Sequence, residues 1–166
     1  MTQETLDQAV ALVTKIFPPE YEEEPGTEEL PASLDPDARR AFLAKSGITF
    51  LQYWVAMRGK KVAGIVGLYC YKQDEVEADW LGWFCVKKSA RRKGLGSELL
   101  LLAISEAKKR GKNFLRLYTT DDPEEIDAHR MFERYGFKVV GSKPWKAAPE
   151  LGLTEIFYEL NLKAQT

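Results

Sequence analysis

Apolar residues recur along the first segment at helical spacing, with Leu6, Ala9, Val10, Val13, Ile16 and Phe17 on one face. Pro18-Pro19 stops that pattern, so helix one is expected to end at Phe17. From Glu20 to Pro31 the chain is too polar and interrupted for a core element, and reads as a loop or short helix over a surface. Asp35-Pro36 then supplies an N-cap and a first-turn proline for a short helix through Ala38, Phe42 and Leu43, closed by Gly47. Beyond Thr49 the pattern turns to branched and aromatic residues, which predicts a strand near Phe50 to Met57, a turn at Arg58-Gly59-Lys60 and a strand from Val62 to Tyr71. Gly64 and Gly67 within it mark a bulge or a close backbone approach. A third strand, Glu77 to Val86, is dense enough in aromatics to be covered on both faces.

The second half reads strand, glycine loop, helix, strand. Leu99, Leu100, Ala103, Ile104 and Ala107 form an apolar stripe ending before Gly111, and Phe114 to Tyr118 is the next strand. A crossover through a full helix joins parallel neighbours, so the sheet is expected to be mixed. Asp122, Pro123 and Glu125 have the spacing of a helix start with a reciprocal cap, and Ile126, Met131, Phe132 and Tyr135 follow before Gly136. A loop with Pro144, Trp145 and Pro149 precedes a last strand near Leu153 to Leu160. With 166 residues and no internal repeat or long linker, one domain spanning 1–166 is expected.

Composition narrows the chemistry. Cys70 and Cys85 are the only thiols and His129 the only imidazole, so a multi-ligand metal site would have to be mostly carboxylate, and neither a zinc cluster nor another metal is expected. Both cysteines lie in apolar runs and read as buried free thiols, and His129 as a packing or helix-surface residue. No stretch approaches ~20 uninterrupted apolar residues. The N-terminus carries acids where a leader would carry bases, so a cytoplasmic location without a membrane is expected. The net charge of -1 hides two opposed fields. Residues 1–37 hold ten acids against Lys15 alone, whereas residues 87–112 hold nine bases against Glu98 and Glu106.

The basic field centres on the segment Phe84 to Leu100. Gly94 and Gly96 let backbone approach a bulky anion, and the first N–H groups of the helix that follows point outward without internal acceptors. With the helix dipole and Lys87, Lys88, Arg91, Arg92 and Lys93 around them, these donors suit phosphate or diphosphate. A nucleoside-triphosphate loop fits poorly, because Lys93 precedes Gly94 and Leu95 follows it; a dinucleotide fingerprint fits poorly because Leu99 stands where its third glycine belongs. A solvated basic turn and a nucleic-acid contact are the competing readings. The near-zero net charge argues against nucleic acid.

Arg91-Arg92-Lys93-Gly94-Leu95-Gly96 resembles the Arg/Gln-x-x-Gly-x-Gly/Ala cofactor motif of the GNAT superfamily of N-acetyltransferases, and the run Ala128 to Phe137 resembles its Ala-x-x-x-Tyr-x-x-x-Gly-Phe signature. The resemblance covers Val62 to Leu160; the first 47 residues depart from it by starting with a helix. It implies an α+β fold with a mixed, mostly antiparallel sheet, helices on its flanks and two parallel central strands, Glu77 to Val86 and Phe114 to Tyr118, that splay to admit acetyl-CoA. It implies backbone contacts from Arg92, Lys93, Gly94, Leu95, Gly96 and Ser97 to the diphosphate, with Arg91 at the mouth. Pantetheine would run beside Phe84, Cys85 and Val86, with the N–H near Phe84 facing the thioester oxygen.

The implied reaction is acetyl transfer to a primary amine without an acyl-enzyme. The family's frequent tyrosine acid falls on Phe132, which has no proton to give; Tyr135 reads as a core or interface residue, Tyr118 is another candidate donor, and a CoA thiolate is a good enough leaving group to need no dedicated acid. Asp79, and after it Glu77, are the candidate bases on the strand before the loop, Asp79 only if that strand bulges or slips by one. The acidic series including Glu22 and Glu23 is expected to draw in a cationic acceptor, and Trp80, Trp83 and Trp145 to line its cleft. The expected partner is a small-molecule or peptide amine, with a homodimer compatible with the chain's size. A CoA-binding sensor without efficient transfer is the alternative that Phe132 raises.

Overall fold

The computed structural model describes residues 1–17, 28–146 and 148–164. In chain order they form α1 (Gln3–Ile16), α2 (Glu29–Ala32), α3 (Pro36–Ser46), β1 (Ile48–Arg58), β2 (Lys61–Tyr71), β3 (Ala78–Val86), α4 (Leu95–Lys109), β4 (Phe114–Thr120), α5 (Ile126–Arg134), β5 (Lys138–Pro144) and β6 (Thr154–Asn161). The local signals explain most boundaries. Asp35 caps α3 by accepting the Ala38 N–H at 2.7 Å, Pro36 occupies its first turn, and Gly47 closes it at φ +69°. The expected helix from Asp122 is split instead. Asp122 accepts from the Glu124 N–H and opens a single 3₁₀ turn, and the α-helix begins only at Ile126. Glu125 does not reach back to close a reciprocal cap, because its carboxylate accepts hydrogen bonds from the Thr119 hydroxyl and the Thr120 N–H.

The strands make one sheet in the order β1-β2-β3-β4-β6-β5, antiparallel except for the β3/β4 pair. This is the mixed, mostly antiparallel α+β architecture that the residue pattern leads one to expect. Two apolar clusters sandwich it. Leu95, Leu99, Leu100, Ala103 and Ile104 of α4 pack on one face against Val66 and Leu68, while α1, α2 and α3 cover the other through Leu6, Val13, Leu30 and Phe42 against Ile65 and Tyr69. β2 is therefore buried on both sides over most of its length. Gly64 and Gly67 serve close approach: a methyl group at Gly64 would stand 2.8 Å from Leu99 Cδ1, and one at Gly67 2.1 Å from the Tyr53 ring.

Two departures from regular pairing position the site. The parallel ladder joins only Ala78–Trp80 to Phe114–Arg116, and beyond it β3 and β4 share no pairing. Ile65 faces Cys85 and Gly67 faces Gly82, so Trp83 and Phe84 together oppose Val66 alone, a bulge in which Trp83 takes φ +37°. A bulky residue in the left-handed region is costly and is retained only where its surroundings hold it.

Candidate active site

Where β3 and β4 part, a cleft of about 1200 Å³ opens. Leu81 to Val86 form one wall and Leu117 to Thr120 the other. At one end lie Arg91, Arg92, Gly94, Gly96 and Ser97, at the entrance to α4. Gly94 is the N-cap at φ +85° with no side-chain hydrogen bond capping the helix, so the N–H groups of Leu95, Gly96 and Ser97 emerge toward the cleft mouth. Leu95 itself is buried in the core, so only its backbone faces the mouth. Gly96 sits close to Phe84, Val86 and Met131. The basic side chains are partly engaged: Arg91 donates to the Val86 carbonyl at 3.0 Å, Arg92 pairs with Asp127 at 3.3 Å, and Lys93 reaches the Ser89 carbonyl.

This geometry fits an extended acyl thioester bearing a diphosphate. A β3 segment without a β4 partner exposes main-chain groups for a linear arm, and an uncapped helix entrance without a Cβ at Gly94 seats an anion. Among the described residues, no group of three or more His, Cys, Asp or Glu side chains is arranged to hold a metal ion.

An aromatic part of the cleft is formed by Phe17, Trp83, Tyr69 and Tyr71, with Glu29 bound to Trp83 and Glu28 beside it, and Trp145 also lines the cleft. Glu28 is matched by Lys45 at 2.5 Å. Glu29 accepts a hydrogen bond from the Tyr53 hydroxyl at 2.8 Å and another from Trp83 Nε1. Tyr53 reaches it along a row in which Tyr53 pairs with Gly67 and Gly67 with Gly82. A methyl group at Gly82 would stand 2.7 Å from the Tyr53 hydroxyl, so both glycines keep the path of that ring clear. Burial, followed by the charge of Glu29, pushes the Tyr53 hydroxyl well above the usual phenol range, and it remains a donor.

Several expected site residues stand elsewhere. Asp79 is 0 % exposed and does not line the cleft. Arg110, the C-cap of α4, binds it through Nε at 2.7 Å and Nη2 at 3.3 Å, and Lys112 lies 3.6 Å away. The strand does bulge, but at Trp83 and Phe84, beyond Asp79, whose side chain stays against the end of α4. Its assignment as base is thereby corrected to a buried ion-pair role. Glu77 precedes β3 and pairs with Arg116 at 3.2 Å, outside the cleft. Trp80 also lies outside it, donating to Asp74 at 2.8 Å and packing on Tyr69 and Tyr71. Glu22 and Glu23 fall outside the described residues. Trp83, Trp145 and Tyr118 do line the cleft, as do Phe84, Cys85 and Val86.

Phe132 is buried against Phe84, Phe137 and Tyr158. The adjacent His129 ties α5 to the sheet. Its Nε2 donates to the Thr120 carbonyl at 2.8 Å, and its Nδ1 is hydrogen-bonded to the Tyr158 hydroxyl at 2.7 Å. Residue type alone did not mark Tyr53, Thr119, Thr120 or Glu125. The facing glycines Gly67 and Gly82 were the available trace of the first.

Cys70 and Cys85 are both buried free thiols. Burial pushes Cys85 up to about 12 from an ordinary 9.0, the nearby Arg91 opposing only weakly. Iodoacetamide at pH 8 is expected to leave Cys85 unlabelled in the folded protein and to label it in denaturant; rapid native labelling would contradict this. The folded thiol keeps its proton where the unfolded one loses it. Its contribution to stability is therefore complete below about pH 9 and declines between 9 and about 12.

Residues 8–137 match the family model described as the Acetyltransferase (GNAT) family, and the chain belongs to that family. It is 29% identical over 114 residues to the "Probable N-acetyltransferase camello" of Xenopus laevis, an alignment covering 68% of this chain and 51% of that protein. The chain thus spans about half the length of that curated relative. A putative GNAT-family acetyltransferase from Desulfovibrio desulfuricans superposes with a TM-score of 0.71 at 22% identity, covering 96% of this chain and 92% of the other. An aminoglycoside 6'-N-acetyltransferase complexed with coenzyme A superposes with a TM-score of 0.67 at 18% identity, covering 95% and 90%. At these identities the likeness is one of fold.

Proposed function

We propose that the chain moves the acetyl group of acetyl-CoA directly to a primary amine held in the aromatic part of the cleft. The observation that carries this reading is the parting of β3 and β4 immediately beside the uncapped entrance of α4. An acyl thioester joined to a diphosphate by an extended arm needs both features at one mouth. The relative of the same fold complexed with coenzyme A supports this choice of donor.

In this reading the backbone of Arg92 to Ser97 holds the diphosphate, and Phe84 to Val86 hydrogen-bond the pantetheine arm in sheet fashion. The bulge at Trp83 turns the main chain so that an N–H near Phe84 meets the carbonyl oxygen as charge develops there. The neutral amine forms the new C–N bond and gives up its surplus proton to solvent water, the C–S bond breaks, and CoA leaves as its thiolate. Cys85 takes no part, because a buried thiol pushed up to about 12 supplies no thiolate nucleophile. Transfer is thus a ternary-complex reaction that relies on positioning. Tyr118, lining the cleft wall, is assigned as proton donor to the departing thiolate, in place of Phe132.

A panel of amines with acetyl-CoA, read by free thiol and product mass, tests the reaction. Stoichiometric thiol and acetylated amine are expected. Saturable acetyl-CoA binding with no release across the panel would favour a sensor, the reading that the protonless Phe132 supports.

A further inference from the structure

Two ion pairs join the basic loop before α4 to the start of α5. Lys88 lies 3.5 Å from Glu124, and Arg92 lies 3.3 Å from Asp127. Arg92, Glu124 and Asp127 all line the cleft. A methyl group at Gly96 would stand 3.6 Å from Met131 Sδ, so α5 runs directly beside the entrance of α4. The two pairs therefore cross the cleft at the place where the helix presents its N–H groups.

Two other bases of the loop are held differently. Arg91 donates to the Val86 carbonyl and Lys93 to the Ser89 carbonyl, partners that carry no net charge. Lys88 and Arg92 meet carboxylates instead, which oppose their charge. Arg92 also stands at φ +61°, a region that a non-glycine residue occupies where its surroundings hold it. All four paired side chains are more than half exposed, so exchanging one anion for another strands no buried charge. Arg92 precedes the Gly94 cap by two residues, a distance that an arginine side chain spans. A diphosphate seated at the entrance of α4 thus competes with Asp127 for one guanidinium.

We propose that Asp127 is a competitor built into the fold, holding Arg92 in the free protein and setting the affinity for acetyl-CoA because Arg92 must be released to the diphosphate. This rests on the placement of the diphosphate proposed above. The Lys88–Glu124 pair runs alongside and strengthens the same bridge. Asp127 acts on the cofactor through Arg92 and has no part in the transfer itself.

The test is a cycle of four proteins, native, Asp127→Asn, Arg92→Gln and the double variant, each titrated calorimetrically with acetyl-CoA. Both side chains are exposed, so the variants are expected to keep the fold, which circular dichroism checks. Asp127→Asn is expected to bind acetyl-CoA about threefold more tightly, the scale of an exposed ion pair. Arg92→Gln is expected to bind about tenfold more weakly, the scale of a hydrogen bond to a charged group. The double variant should match Arg92→Gln, because a carboxylate that acts by holding Arg92 then has nothing to hold. Native affinity in Arg92→Gln, no gain in Asp127→Asn, or an equal gain from Asp127→Asn with and without Arg92 would each overturn the proposal. The last of these would show plain repulsion between Asp127 and the anion. Gly94→Glu judges the diphosphate placement separately: if that variant keeps native affinity, the placement falls and the proposal with it.

Discussion

Replacing Gly94 with glutamate is expected to weaken acetyl-CoA binding by about 100-fold or more, roughly 2.7 kcal/mol, while leaving the fold intact. Gly94 is the N-cap of α4 at φ +85°, where the helix presents unpaired N–H groups and the positive end of its dipole. A carboxylate there occupies the anion seat and repels a diphosphate across a short distance. The left-handed φ costs an L residue about 1–2 kcal/mol, which a domain of ordinary stability absorbs. Gly94→Ala separates the two effects. Its methyl group would meet only Glu98 Oε1, at 3.8 Å, so it carries the backbone cost without the charge. Calorimetry for affinity and circular dichroism for the fold check both parts. Unchanged affinity in Gly94→Glu would remove the diphosphate from this end of the cleft.

Asp79→Ala should act on stability and leave chemistry alone. The side chain is 0 % exposed, and it compensates Arg110 at 2.7 Å and Lys112 at 3.6 Å. Lys112 is itself buried, and Arg110 lies over the Phe50 ring, 3.3 Å from its centroid. Removing the carboxylate strands two charges, and breaking a buried pair in this way costs about 3–5 kcal/mol. For a domain of this size that corresponds to a fall in Tm of roughly 10 °C. The folded enzyme, assayed well below its transition, should keep its kcat within about twofold, because loss of a general base would instead cost about 100-fold or more. A large loss of kcat with unchanged Tm would restore Asp79 to the chemistry.

These two variants also mark what could be read from the chain beforehand. The basic, glycine-flanked start of α4 was legible because its determinants are local: basic residues, two glycines and a helix start lie within one short segment, Arg91 to Ser97. The same holds for α3, whose cap, proline and closing glycine are contiguous. Asp79 misled because its partners, Arg110 and Lys112, lie 31 and 33 positions on and reach it only once α4 has folded back over the sheet. The bulge left no trace in residue type, since Trp83 occupies a conformation that tryptophan does not favour. It is held from outside by Glu29 and Phe17. Glu29 was one of the ten acids of residues 1–37, with nothing in its residue type to set it apart. Its position on Tyr53 and Trp83 depends on contacts spanning 24 and 54 residues.

Hydrogen–deuterium exchange with and without coenzyme A tests the central claim, that one cleft holds the arm on β3 and the diphosphate on α4. The expected result is slowed exchange on CoA addition at the amides of Phe84 to Val86 and of Arg92 to Ser97 together, with the β5 amides unaffected. Protection confined to other segments, or none at saturating CoA, would contradict it.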